Sequence, residues 1–157
     1  MIDEMLTLSS GDIKGESTPD LELLTTGNRL SLTQVISAIE NGRYDEHQLG
    51  HLIENSLKSS STPILGITGT GGAGKSSSTD EIIRRFRQDS NDSMRIAVLA
   101  IVPTRKKTGG ALLGDRIRMN AINHPNIFMR SLATRDARTE VPENLQAILA
   151  AIKLADF

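Results

Sequence analysis

Cysteine is absent from this chain, which excludes disulfides, thiolate-ligated zinc and a thiol nucleophile. Aromatic side chains are scarce: there is no tryptophan, and Tyr44, Phe86, Phe128 and Phe157 are the whole supply. With so few stacking rings and a net charge of −1, nothing points to nucleic acid as a partner. The longest apolar run, Ile96-Ala97-Val98-Leu99-Ala100-Ile101-Val102, falls far short of the ~20 residues that cross a membrane. The start, Met1-Ile2-Asp3-Glu4-Met5, is acidic where a secretory signal would be basic, so the expected location is cytoplasmic, with no membrane partner.

What is present fits one globular domain. At 157 residues the chain can bury a sizeable core but hardly two. Residues 1–29 carry the polar, turn-forming stretch from Ser9 to Asp20 and read as a linker. Ser31 with Gln34 has capping-box spacing, followed by Leu32, Val35, Ile36 and Ile39 at helical intervals, with Asn41-Gly42 as the stop. Asp45 with Gln48 repeats the cap, and Leu49, Leu52, Ile53 and Leu57 form a second stripe. Residues 30–58 are therefore predicted to be a helical hairpin, closed by Ser59-Ser60-Ser61-Thr62-Pro63.

From residue 62 the periodicity changes to strands alternating with helices. Ile64 to Thr68 reads as a buried parallel strand, and Lys75 to Phe86 as a helix with Ile82, Ile83 and Phe86 inward. A strand follows from Ile96 to Val102, stopped by Pro103. A turn is expected at Thr108-Gly109-Gly110, a helix from Ala111 to Ile122 and a weaker strand over Asn126–Met129. Pro142 suits the first position of a last helix whose stripe is Leu145, Ile148, Leu149 and Ile152. The expected fold is α/β, a P-loop NTPase of three layers around a parallel sheet, truncated and preceded by the hairpin.

The chemistry sits between the first predicted strand and its helix. Gly69-Thr70-Gly71-Gly72-Ala73-Gly74-Lys75-Ser76 matches Gly-x-x-x-x-Gly-Lys-Ser without a mismatch. Glycines let the backbone turn its N–H groups inward around an anion, and the helix that follows adds the positive end of its dipole. Lys75 is the expected contact to the β- and γ-phosphates and the candidate catalytic residue, and Ser76 the expected Mg²⁺ ligand, with Ser77 beside it. The motif does not name the base. No Asn-Lys-x-Asp guanine loop is present, nor an apolar strand ending in a magnesium-binding Asp. The stretch after Gly69 is also shorter than the roughly 100–150 residues of a typical domain, so the chain reads as a fragment.

Three segments carry a specific resemblance. They are Gly66 to Ser77, Lys107-Thr108-Gly109-Gly110-Ala111-Leu112-Leu113-Gly114-Asp115-Arg116-Ile117-Arg118-Met119-Asn120, and Phe128-Met129-Arg130-Ser131-Leu132-Ala133-Thr134-Arg135. Together they resemble the G domain of the fused isobutyryl-CoA mutases, which is similar to the MeaB-type GTPase chaperones of adenosylcobalamin-dependent acyl-CoA mutases. The hairpin looks like the segment that precedes that domain, and the resemblance implies that residues 1–29 are a linker or the remnant of an upstream domain. The resemblance implies GTP and Mg²⁺ as ligands. It implies an acyl-CoA mutase core and a cobalamin-binding domain as partners, and a role in gating cofactor loading, with adenosylcobalamin held only by those partners. It assigns Asp115 to the magnesium site and Thr104 to Asp115 to a nucleotide-sensing switch.

Two positions depart from the family pattern. Val102-Pro103-Thr104-Arg105 stands where the family reads Asp-Pro-Ser-Arg, and valine can neither bind metal nor orient water. That departure bears on hydrolysis more than on binding, and implies a fragment inactive alone. Ser78 replaces a leucine and thins the apolar face of the helix.

Other constellations have local explanations. Asp45-x-His47-x-x-Gly50 fits the pattern of a cobalt-ligating histidine, but Asp45 reads as a helix cap and His47 as a surface residue of the first turn. Arg105-Lys106-Lys107 is either a solvated loop or an anion- or partner-facing patch; Arg84, Arg85 and Arg87 are expected to face solvent. His124 precedes Pro125 in a turn without a second ligand at metal spacing. Two rival functions stay open at this point: an ATP-dependent small-molecule kinase, and a non-catalytic mutase-interaction fragment.

Overall fold

A computed structural model describes residues 18–103, 119–134 and 141–157. The turn expected at Thr108-Gly109-Gly110, the basic run Arg105-Lys106-Lys107 and most of the helix expected from Ala111 lie outside the described residues.

Asp20 opens a 3-10 helix, Leu21–Thr26, by accepting from the Glu22 amide at 3.0 Å. Helix α1, Arg29–Glu40, follows at once. Its cap is Asn28, whose side chain accepts from the Leu30 amide at 2.9 Å, and not Ser31, which lies buried inside the helix. The reason is that the apolar periodicity extends one turn further back than the Ser31 signal: Leu24 is fully buried and draws the chain onto the core before α1 begins. The stop is as expected. Gly42 at φ +65 lets its own amide reach Ile39 O and the Arg43 amide reach Ala38 O, which satisfies the last carbonyls of α1.

Helix α2, Glu46–Ser59, starts from a complete capping box, Gln48 N to Asp45 at 2.7 Å and Asp45 N to Gln48 at 3.0 Å. Of its predicted stripe Leu52 is buried and Leu49 and Ile53 half-buried, whereas Leu57, on the last turn, is exposed. Helix α3, Lys75–Asp89, buries Ile83. It leaves Ile82 half-buried and Phe86 exposed, contrary to expectation, because among the described residues no apolar surface covers the turn of helix carrying Phe86.

Strands β1, Ile96–Pro103, and β2, Ile127–Thr134, pair in parallel with Ile96 opposite Ile127 and Pro103 opposite Thr134. β2 runs five residues beyond the predicted Met129. Its polar Arg130 is satisfied inside the fold, donating to Ser37 Oγ at 2.9 Å and pairing closely with Glu40. Residues 119–122 are turn and coil, not the end of a helix. The last helix, α4, Leu145–Leu154, begins after Asn144. Pro142 therefore sits outside it, and its carbonyl accepts from the Leu145 amide. Asn144 donates across to Ile39 O at 3.1 Å and joins the start of α4 to the end of α1.

Alternation along the strands builds three layers. Ile96, Val98 and Ile127 face α3, where Ile83 meets them with Ala121 and Ile122. Ala97, Leu99, Phe128 and Leu132 face α1, α2 and α4. Arg95, at the entrance to β1, ties three chain segments together. It donates to Gly27 O at 2.9 Å, stacks 3.9 Å over the Phe157 ring and pairs with Asp156 at 3.5 Å. A Cβ at Gly27, already at φ +63, would come within 2.8 Å of that guanidinium.

The strand expected over Ile64–Thr68 does not form. Among the described residues β1 and β2 pair only with each other, so the run has no neighbour for its backbone, and Ile64, Leu65 and Ile67 are 59%, 70% and 41% exposed.

Candidate nucleotide-binding site

The predicted phosphate residues come together as one loop on the first turn of α3. Gly72 and Gly74 stand at φ +80 and +82, a conformation that strains any residue with a Cβ. Chain neighbours aside, none of the described residues comes within 4 Å of the place a Cβ would take at Gly71, Gly72 or Gly74, so these positions are uncrowded. Backbone conformation, not crowding, is what requires glycine there.

Gly74 occupies the cap position of α3 without any side-chain cap, and the first turn holds no acidic residue. The positive end of the helix dipole therefore faces the loop with no acidic side chain from the first turn of α3 against it. Lys75 crosses the loop. Its Nζ donates to Gly69 O at 2.7 Å and to Thr70 O at 2.8 Å, while the Ala73 amide closes the turn onto Thr70 O at 3.3 Å. The ammonium thus rests on two carbonyls at the start of the loop.

Ser76 is half-buried and Ser77 exposed, both in the first turn of α3. Asp115 lies outside the described residues. Among the described residues no group of three acidic, histidine or cysteine side chains is placed to hold a metal. The loop fits a polyphosphate on its own geometry, whereas on the described metal side only Ser76 is in place.

The remaining candidates separate as their chemistry dictates. Arg84 and Arg85 both bind Glu81 at 2.8 Å on the exposed side of α3, and their hydrogen bonds hold the Glu81 carboxyl down at about 2. Arg87, expected to face solvent, instead donates to Asp92 at 2.6 Å and to Ala121 O at 2.8 Å. It is turned inward because the turn after α3 brings Asp92 back beside it. Asp80, not singled out from the sequence, accepts from the Ala121 amide at 2.8 Å. The signal was its seven-residue spacing from Arg87, which puts both on one side of the helix. Asp45 caps α2, and His47 is an exposed first-turn residue. His124 Nδ1 accepts from the Asn126 amide and its other nitrogen lies 3.8 Å from Asp92.

With this geometry in place, sequence comparison decides the family. Residues 32–157 match the family described as methylmalonyl-CoA mutase-associated GTPase MeaB. The chain belongs to this family. Among relatives, a fused isobutyryl-CoA mutase of Cupriavidus metallidurans is 53% identical over all of this chain, and one of Nocardia farcinica 43%. This chain spans 14% of the length of each. A Pyrococcus horikoshii protein named as a GTPase is 39% identical over 73% of this chain and 35% of its own length. MeaB membership agrees with the α/β P-loop architecture and does not favour the kinase alternative. Among the described residues no helix is long and apolar enough to cross a membrane.

Proposed function

We propose that this MeaB-family chain binds GTP through residues 69–76 and gates the loading of a cobalamin cofactor into an acyl-CoA mutase. The observation that carries the reading is the Lys75 ammonium held between Gly69 O and Thr70 O, over an open glycine loop at an uncapped helix N-terminus. Gly69, Thr70, Gly71, Gly72, Ala73 and Gly74 supply the cradle, Lys75 and the amides around Ser76 and Ser77 meet the β- and γ-phosphates, and Lys75 offsets charge in any hydrolysis. Mg²⁺, when bound, would neutralise phosphate charge; Ser76 and Asp115 are the residues assigned to it. The base is assigned as guanine because relatives are named GTPases.

The mutase side of the proposal rests on relatives named fused isobutyryl-CoA mutase. In it, the partners are a mutase core and a cobalamin-binding domain that carries adenosylcobalamin. Within this chain, residues 1–29 serve as linker or upstream remnant, 30–58 as a hairpin and 62–157 as the N-terminal part of the GTPase domain. Val102 at the end of β1 offers no ligand or base, so nucleotide is bound but turned over slowly or not at all by this chain alone.

Calorimetry with Mg²⁺ and GTP, GDP or ATP tests the binding claim. Binding of GTP with indifference to ATP is expected. Lys75→Ala should weaken GTP binding about a hundredfold, the scale of losing two charge-assisted phosphate bonds. Equal affinity for ATP, or an unaffected Lys75→Ala, would remove the proposal.

A further inference from the structure

We propose that His47 and His51, one turn apart on the outer face of α2, form a two-imidazole site for a late first-row divalent cation, Zn²⁺ among them. The proposal is independent of the reading of residues 69–76.

The chain has three histidines and no cysteine, and two of the three stand four residues apart in one helix. Residues at that spacing share one side of a helix, with their Cβ atoms about 5–6 Å apart. Two imidazoles can close that span onto a single ion. α2 turns Leu52 and Ser56, with the half-buried Leu49 and Ile53, toward the rest of the fold. His47, Gly50, His51, Glu54 and Lys58 form the opposite stripe, and all five are exposed. Gly50 lies beside the pair. Its chain neighbours and its own helix backbone aside, no described residue comes within 4 Å of the place its Cβ would take, so nothing crowds the water ligands of an ion there.

The setting of His51 is a second observation. The Asn55 side-chain amide lies 3.1 Å from His51 Nδ1. Helical side chains lean toward the N-terminus, so Asn55 leans over His51 and His51 over His47. The two ring nitrogens point to nearly opposite sides, which leaves Nε2 on the side away from Asn55. With its amide oxygen turned to Nδ1, Asn55 accepts from Nδ1–H and leaves the lone pair on Nε2. Metal-bound histidines use the same arrangement.

The chemistry sets both the class of ion and the limit of the site. Neutral imidazole suits Zn²⁺, Cu²⁺ and Ni²⁺, whereas Mg²⁺ and Ca²⁺ take oxygen ligands. The positive end of α2 opposes a cation at His47, and Glu46 in the first turn offsets it. Glu54 is engaged by Lys58 Nζ at 2.8 Å, and among the described residues no third histidine or carboxylate completes the set. Gln48 stands where a zinc hydrolase motif has its glutamate base, and its side chain accepts from the Asp45 amide. The site therefore holds an ion with water in the other positions and carries no hydrolytic chemistry of its own.

The full chain, without an affinity tag and without nucleotide, tests this by Zn²⁺ calorimetry and by NMR of the three imidazoles. One Zn²⁺ per chain is expected, with the ring signals of His47 and His51 moving together while that of His124 stays. Mg²⁺ should move none of them. His47→Ala and His51→Gln should each weaken Zn²⁺ binding about tenfold, the scale of losing one arm of a chelate. No heat beyond dilution in the wild type overturns the proposal. So do ring shifts confined to His124, or a single replacement that leaves the affinity unchanged. The wild-type ring signals decide the matter even where a variant fails to fold.

Discussion

On one face of the sheet Phe128 and Leu132 meet α1, α2 and α4 and are 4% and 1% exposed; on the other, Ile83 covers Ile127 while Phe86 stays 47% exposed and Leu65 70%. The first region is dry and cross-tied: Arg130 reaches Ser37 and Glu40, Asn144 reaches Ile39, and Tyr44 reaches Pro19. The second carries the phosphate loop and has open surface around it. Stability and binding are thus divided between the two faces. Each fully buried aliphatic side chain of the dry side contributes roughly 1.5–3 kcal/mol. The loop side spends backbone conformation, at Gly72 and Gly74, and leaves the start of α3 without a side-chain cap. Sites that must open to a ligand are drawn from the weakly packed end of a fold.

Substitutions can break or sharpen that contrast. The largest effect is expected on the dry side: Ile148→Ala, at a residue 1% exposed, should cost about 2–5 kcal/mol in denaturant unfolding. Next comes Glu40→Ala, which takes the carboxylate from the quarter-exposed Arg130, leaves it only the Ser37 hydroxyl and should cost about 1–3 kcal/mol by the same measurement.

Tyr44→Phe removes the 2.6 Å hydrogen bond to Pro19 O and should cost about 1 kcal/mol at neutral pH. It also has a pH signature. Burial, with the Asp20 charge adding, pushes the Tyr44 phenol up to about 12. An acid whose folded value is raised stabilises fully below its unfolded value of about 10, and loses that contribution as pH climbs to about 12. Melting curves from pH 9 to 12 should therefore fall more steeply for wild type than for Tyr44→Phe. The smallest effect belongs to the open side: Leu65→Ser in residues 1–157 should change stability by no more than about 0.5 kcal/mol. A cost of several kcal/mol there would show that the run Ile64–Thr68 is packed, and the contrast between the faces would fail.

Much of this was legible in the residues because it is local. The Asp45–Gln48 box, the Asn41-Gly42 stop and the Gly-x-x-x-x-Gly-Lys-Ser loop each depend on a few neighbouring residues, and each takes the form its spacing requires. The errors have a common cause. Ser31 lost the cap to Asn28, Phe86 and Leu57 turned outward, and Ile64–Thr68 found no strand partner. In each case the local pattern was sound, but the surface it required was elsewhere or missing. β2 was underestimated for the converse reason: it carries the polar Arg130 because Glu40, ninety residues earlier in the chain, is brought opposite it.

The sequence alone determined the chemistry of the loop, because glycine conformations, a helix start and a lysine at fixed spacing are properties of eight consecutive residues. It also determined, through the period of the apolar pattern, the hairpin, the helix after the glycine loop, the two paired strands and the last helix, in that order, whereas the strand expected over Ile64–Thr68 did not form. Only the tertiary structure decided which of those apolar faces is covered, and that Asp80 and Arg87 grip Ala121. Burial and long-range hydrogen bonds depend on which distant segments meet, and no local period encodes that meeting.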